Sequence, residues 1–491
     1  MNLSPQRKKS LKKILYIIFI VILISDTGYS FKQYLANPLD WDMAGGILPA
    51  ENVKPILNNP LGIDAILNNT KYPNPNRFFS HWAFYTYFNT MPFFLQKFMS
   101  PIASVYWSCA IAKILLHISF LVVLGILFSG NNKIFSFGFL LFLIILTPLF
   151  QVYGYQNHMG IVDKSNTYLF FYPLPLLLLI LYYIPFVFNN YYRHKIKLNA
   201  FLKVVWIFLA FIICLSGPLN PGINLIIILL VIMQLFYKNH KEYRGTGIAN
   251  QIIKFIKRIP ADYYFYFLPV FFLSVYSLIL GTHNDVNDLY EIPLSEIYLK
   301  LPNGIIHQFT QKPGFPVLFF LITINIILLH KVFPKEEKSS LLNNYFWILC
   351  FCLIYIFLLP LGGYRDYRPH ILRYDTILPI TILIFYVYVS SSIELIKKLS
   401  LKKDLLYIPL VLLVSFIFTN ADKTNFKENL CEKKAILQIA SSQGDTVRLN
   451  CDCNVLSWKK VMDINENRLN SELLMKWNIT SRLKYFSNNY D

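Results

Sequence analysis

Long apolar runs, separated by short polar stretches, occupy most of the chain. Eleven of them read as spans, at 14–31, 103–129, 134–152, 167–188, 200–216, 221–237, 263–281, 315–333, 343–361, 374–393 and 405–419. At about 1.5 Å per helical residue, runs of this kind suit the roughly 30 Å of hydrocarbon in a bilayer. The first follows Arg7, Lys8, Lys9, Lys12 and Lys13, and a basic start before an apolar stretch also describes a signal peptide. No small-x-small cleavage site follows it, and Ser25 to Phe31 continues without a strong breaker. The segment is therefore read as an uncleaved first span.

Charge orders the spans. Arg193, Lys195, Lys197 and Lys203 flank one loop, and Lys238, Lys241, Arg244, Lys254, Lys257 and Arg258 fill another. Lys331, Lys335 and Lys338 mark a third, and Lys397, Lys398, Lys402 and Lys403 a fourth. With eleven spans, all four fall on the side of the N-terminus, whereas the 282–314 loop opposite carries only Lys300 and Lys312. Cytoplasmic loops are enriched in Lys and Arg. The expectation is a cytoplasmic N-terminus, with the loops 32–102, 153–166, 282–314 and 362–373 and the tail 420–491 outside.

Composition agrees. Of 491 residues 55% are hydrophobic and 15% charged, against about 45–50% and about 25% in soluble domains. The net charge of +19 lies mostly in the loops of one face and in no recognisable nucleic-acid module, so nucleic acid is not an expected partner. The fold class is an all-α polytopic membrane protein of about eleven transmembrane helices with a small α/β outer C-terminal domain. Its segments are 1–31, cytoplasmic start and first span; 32–102, long outer loop; 103–419, helix bundle; and 420–491, outer domain. In the tail, 435–440 and 467–477 read as helices and 446–449 as a strand. So small a unit cannot bury much core alone and is expected to lean on the outer loops. Cys431 can pair with Cys451 or Cys453 if the tail meets an oxidising compartment.

Candidate chemistry lies in the outer loops. The first holds Asn37-Pro38-Leu39-Asp40-Trp41-Asp42-Met43-Ala44-Gly45-Gly46, and later His81. It is rich in Trp, Phe, Tyr and Pro, which suits helices lying on the membrane surface. Asp42 precedes small residues that would leave room for a substrate. Asp40 follows Asn37-Pro38 and suits a helix cap. The 153–166 loop packs His158 and Asp163 beside glycines. The 362–373 loop carries Tyr364, Arg365, Tyr367, Arg368 and Arg373. Arginines on an outer face run against the charge bias, and their planar forks match phosphate oxygens. The alternative for them is pairing with Asp366, Asp375 and lipid headgroups. Lys113 and His117, four apart inside the second span, share a helix face; they read as partners of a buried acid or as part of a transport path.

In this layout the chain resembles the polytopic GT-C glycosyltransferases, membrane enzymes that take sugar from a polyprenyl-phosphate donor on the non-cytoplasmic face. The shared features are the basic start, one span, a long outer loop with an early acidic motif (here LDWDMAGG), many further spans and a small outer C-terminal domain. The likeness is to bacterial members, and the Trp-Trp-Asp signature of oligosaccharyltransferase catalytic subunits is absent. The resemblance implies Asp42 and Asp40 as catalytic carboxylates. It implies Arg365, Arg368, Arg373, Tyr364, Tyr367, His158, Asp163 and His81 as donor and substrate contacts. Partners would be a polyprenyl-phosphate-linked sugar, a glycan or lipid acceptor, and the bilayer. A divalent metal is permitted by the Asp and His residues without being required. The implied location is a bacterial cytoplasmic (inner) membrane with the site facing outward. An envelope-polysaccharide polymerase or ligase would carry its long loop late in the chain. A transporter would show internal repeats and intramembrane ionisable residues along a path.

Overall fold

The computed structural model describes residues 5–40, 42–130, 134–150, 153–192, 196–243, 248–286, 292–363, 368, 370–398 and 407–488. Among them, eight helices are long and apolar enough to cross a membrane: Lys9–Leu35, Pro101–Ser129, Asn166–Asn190, Leu219–Lys238, Ala261–Gly281, Gly314–Val332, Lys335–Gly362 and Leu378–Lys398. They mark the chain as an integral membrane protein. Large apolar side chains stand outward on them, with Phe272 and Phe320 each 63% exposed. In lipid such side chains meet a solvent of their own kind.

The other three apolar runs form the shorter helices Phe137–Phe150, Ala200–Cys214 and Tyr407–Ala421. A 15-residue helix such as Ala200–Cys214 rises only about 22 Å. Local chemistry ends two of them early. Phe137–Leu146 tightens into a 3-10 turn, Thr147–Phe150, at Pro148, because proline has no N–H to continue the ladder. Ala200–Cys214 stops before Gly217, whose φ of +120° lies where only glycine sits without strain.

The chain forms two compact units, each assembled from separate stretches: 1–58, 80–174 and 392–491 in the first, 59–79 and 175–391 in the second. The segment read as one outer loop is thus shared between them. It folds as the short helices Asp42–Ile47, Lys54–Asn58, Ile63–Leu67, Phe78–Phe88 and Met91–Leu95.

In the first unit the N-terminal helix lies along Pro101–Ser129. Phe31 meets Trp107 edge-on at 5.3 Å, and the Tyr34 hydroxyl lies 2.9 Å from His117 Nδ1. The tail belongs to this unit. It holds the helices Leu430–Ser441 and Arg468–Lys476 and a parallel pair of three-residue strands, with Thr446 opposite Tyr485 and Arg448 opposite Ser487. Cys431 is disulfide-bonded to Cys453, which selects one of the two partners that spacing leaves open. Trp477 is fully buried; its indole N–H donates to Phe88 O, and Gln96 donates to Trp477 O at 2.7 Å. Asn429 donates to the carbonyls of Leu35 and Asn37 at 2.8 and 3.1 Å, tying the tail to the end of the first span.

In the second unit, buried side-chain hydrogen bonds join helices. Tyr182 donates to Tyr266 O at 2.7 Å and Tyr183 to Asn224 Oδ1 at 2.8 Å. Asn224 donates onward to Ser274 at 3.2 Å, and Asn325 to Ser391 at 2.8 Å. Where no water competes, such bonds serve as interhelical glue.

Candidate active site

The chain leaves the first span through Ala36-Asn37-Pro38-Leu39 and buries Asp40 at 4% exposure. Its Oδ2 accepts from the backbone N–H of Asn166 at 2.6 Å, from Thr167 N–H at 3.4 Å and from the Ser165 hydroxyl at 3.2 Å. Oδ1 accepts from the Thr167 hydroxyl at 2.9 Å. The first turn of the helix that begins at Asn166 has backbone donors with no intrahelical acceptor, and Asp40 supplies one. It caps this distant helix with its side chain, while only its backbone carbonyl meets the local one, through Met43 N–H at 3.4 Å. Burial pushes the Asp40 carboxyl above its usual range, opposed by the bonds from Thr167 and Asn166 and by the charge of Lys113.

Lys113 is fully buried, and its ammonium donates to the carbonyl of Lys164. Asp163, also buried, accepts from Ser165 N–H at 2.8 Å. Asp40, Lys113 and Asp163 therefore hold one turn, residues 163–167. The His117 ring stacks on Phe150 with centroids 5.2 Å apart. Both intramembrane basic residues are thus engaged in packing and bonding inside the first unit.

Asp42 differs from Asp40. It opens the helix Asp42–Ile47 and is half-buried. Among the described residues its carboxylate has no hydrogen-bond partner. Burial, with the nearby charge of Asp40, pushes it up to about 6. The two acids sit two residues apart; one is consumed by structure and the other is left with proton affinity near neutrality. Gly46 does not leave the open space expected of the small residues after Asp42. A Cβ at Gly46 would come within 2.8 Å of the Phe84 ring, and Phe84 is fully buried among Phe88, Phe170 and Phe171. Glycine here admits an aromatic ring.

His81 lies in this aromatic cluster, 4.6 Å from Phe171. His158 is buried on the short helix Gln156–Met159. In the second unit, Arg373 pairs with Asp375 at 2.8 Å, Arg368 is half-buried, and the rings of His307 and His370 lie 3.9 Å apart. Tyr364, Arg365 and Tyr367, with Trp41, lie outside the described residues. Among the described residues, one group of three possible metal ligands comes together, the sulfurs of Cys431, Cys451 and Cys453, two of which form the disulfide.

Sequence reading misses Glu432. This tail carboxylate is 3% exposed. Oε2 accepts from Leu39 N–H at 2.9 Å and from the Tyr106 hydroxyl at 2.8 Å, and Oε1 from Leu456 N–H at 3.1 Å. Burial pushes it up to about 7. The signal was present: Glu432, Ala435, Ile436 and Ile439 follow the spacing of one helix face, so the acid sits on the buried stripe.

No protein-family model, curated protein or solved structure matches the chain.

Proposed function

We propose that the protein is a membrane glycosyltransferase of GT-C type, moving a sugar from a polyprenyl-phosphate donor to a glycan or lipid acceptor on the outer face of a bacterial inner membrane. The observation that carries this reading is the contrast between two neighbouring carboxylates. Asp40 is spent on capping a helix, while Asp42, two residues on, has no protein partner among the described residues and a proton affinity raised to about 6. A general base works best with a pKa near the operating pH. In the proposed reaction Asp42 accepts the proton of the acceptor hydroxyl as that oxygen attacks the anomeric carbon. The bond from that carbon to the donor phosphate breaks, and the leaving lipid phosphate gains charge. Arginines set in place beforehand stabilise such charge without reorganisation. The resemblance assigns Arg365, Arg368 and Arg373 to the donor phosphate, and Arg373 also pairs with Asp375 at 2.8 Å.

The reading includes eleven membrane crossings, with the three shorter helices completing the count and the tail outside, where the Cys431–Cys453 disulfide suits an oxidising compartment. The test is substitution of the two acids. Asp42→Asn abolishes transfer while the protein still inserts and folds; Asp40→Asn lowers yield but leaves the folded protein active. Full activity of Asp42→Asn would remove the catalytic assignment.

A further inference from the structure

The helix Ile248–Arg258 belongs to neither the spans nor the candidate site. Lys254, Lys257 and Arg258, spaced i, i+3 and i+4, share one face and are exposed. Ile253 and Ile256, on the other side, are each 51% exposed. No acidic residue lies between Glu242 and Asp262. An isolated helix of 11 residues is marginal in water and depends on what it packs against. Phe255 meets Phe236 edge-on at 5.8 Å, and the Tyr264 hydroxyl donates to Ile256 O at 3.1 Å.

What covers it is set by its tether. Only Ile259 and Pro260 separate Arg258 from the membrane span Ala261–Gly281, so its C-terminal end stays within about 11 Å of the start of that span. The span Leu219–Lys238 lies on its other side in sequence. A helix held at that depth, apolar on one face and cationic on the other, matches the boundary between acyl chains and headgroups. We propose that Ile248–Arg258 is an interfacial helix that binds the anionic phospholipid headgroups of the bilayer its neighbouring spans cross. Ile253 and Ile256 enter the acyl boundary, and Lys254, Lys257 and Arg258 meet the headgroup phosphates. Surface cations of this kind each add to attraction for anionic lipid and lose it within a Debye length.

The experiment is amide hydrogen exchange on the full chain in nanodiscs of phosphatidylcholine alone and of phosphatidylcholine mixed with phosphatidylglycerol. Amides of 248–259 are expected to exchange at least about fivefold more slowly with the anionic lipid. High salt, or the combined change Lys254→Gln, Lys257→Gln and Arg258→Gln, should erase the difference. Exchange in the flanking spans should stay unchanged, which reports that the variant is folded. The pair Ile253→Ser and Ile256→Ser should speed exchange in both lipids, because it removes the apolar anchor. Equal exchange of the parent helix in the two lipids would overturn the proposal whatever the variants do. A lipid difference that survives the triple change would overturn the role of these three cations.

Discussion

Glu432, in the tail, accepts a hydrogen bond from the backbone N–H of Leu39 at 2.9 Å, one residue before Asp40. The same carboxylate receives Tyr106 of the helix Pro101–Ser129 and Leu456 of the tail. One buried acid therefore joins the C-terminal domain, a membrane helix and the loop that carries the candidate carboxylates.

Removing it is expected to be costly. Glu432→Ala strands two buried N–H donors and a hydroxyl, each worth roughly 1–3 kcal/mol when left unpaired. The prediction is a fall in thermal stability, with faster proteolysis of the tail and no change in the number of spans. The pH dependence has a definite sign. Burial holds the folded value at about 7, above the 4.5 of an ordinary glutamate, so this group's contribution is fully present below about 4.5 and is lost as pH rises through about 7. Glu432→Gln removes that titration, and its melting temperature should vary less over this window than the parent's. An unchanged slope would assign the pH dependence elsewhere.

Gly46→Ala tests the packing under the acidic motif. The added methyl would meet a buried Phe84 ring at 2.8 Å, and overpacking of this kind costs about 1–3 kcal/mol. Lower thermal stability is expected, with the defect relieved by Phe84→Leu. A neutral Gly46→Ala would mean that the aromatic cluster yields easily.

How far the chain was readable follows from range. The apolar runs declared themselves because a span is written in consecutive residues, and each of the eleven proved helical. Their lengths did not, because Pro148 and Gly217 end helices through backbone geometry that hydropathy ignores. The tail helices followed local pattern, but the Tyr485–Ser487 strand is three residues long and exists only through its pairing with Thr446–Arg448. Asp40 was readable as a helix cap, yet the helix that it caps begins 126 residues later. That contact has no local trace. Glu432 did leave one, a charge on an apolar helix face.

The arginine loop should be sensitive to shape as well as charge. Arg365→Lys or Arg368→Lys is expected to weaken donor use strongly, because a point charge cannot replace a bidentate fork. Arg373→Lys should act first on stability, through the Asp375 pair. Complementation assays on the three variants check this. Parental behaviour in all three would make the loop a lipid-facing anchor.

Topology can be read from reporter fusions at Asn132, Asn239 and Asn420. Eleven crossings place the first two in the cytoplasm and the third outside. Asn132 lies between the second and third spans, and Asn239 after the sixth, both on the side of the basic loops. A cytoplasmic signal at Asn420 would mean that one of the short helices Phe137–Phe150, Ala200–Cys214 or Tyr407–Ala421 does not cross.

The most direct test of the central claim is the release of polyprenyl phosphate from a panel of polyprenyl-phosphate sugars by the purified protein, with an added glycan and lipid extract supplying the acceptor hydroxyl, followed against pH for the parent and Asp42→Asn. With Asp42 as base and a proton affinity of about 6, the parent's kcat/KM should fall about tenfold per pH unit below about 6 and level off above it. Asp42→Asn should be inactive throughout while retaining the parent's thermal stability. Sugar-dependent release by Asp42→Asn at the parental rate, with the acid limb still in place, would contradict the account.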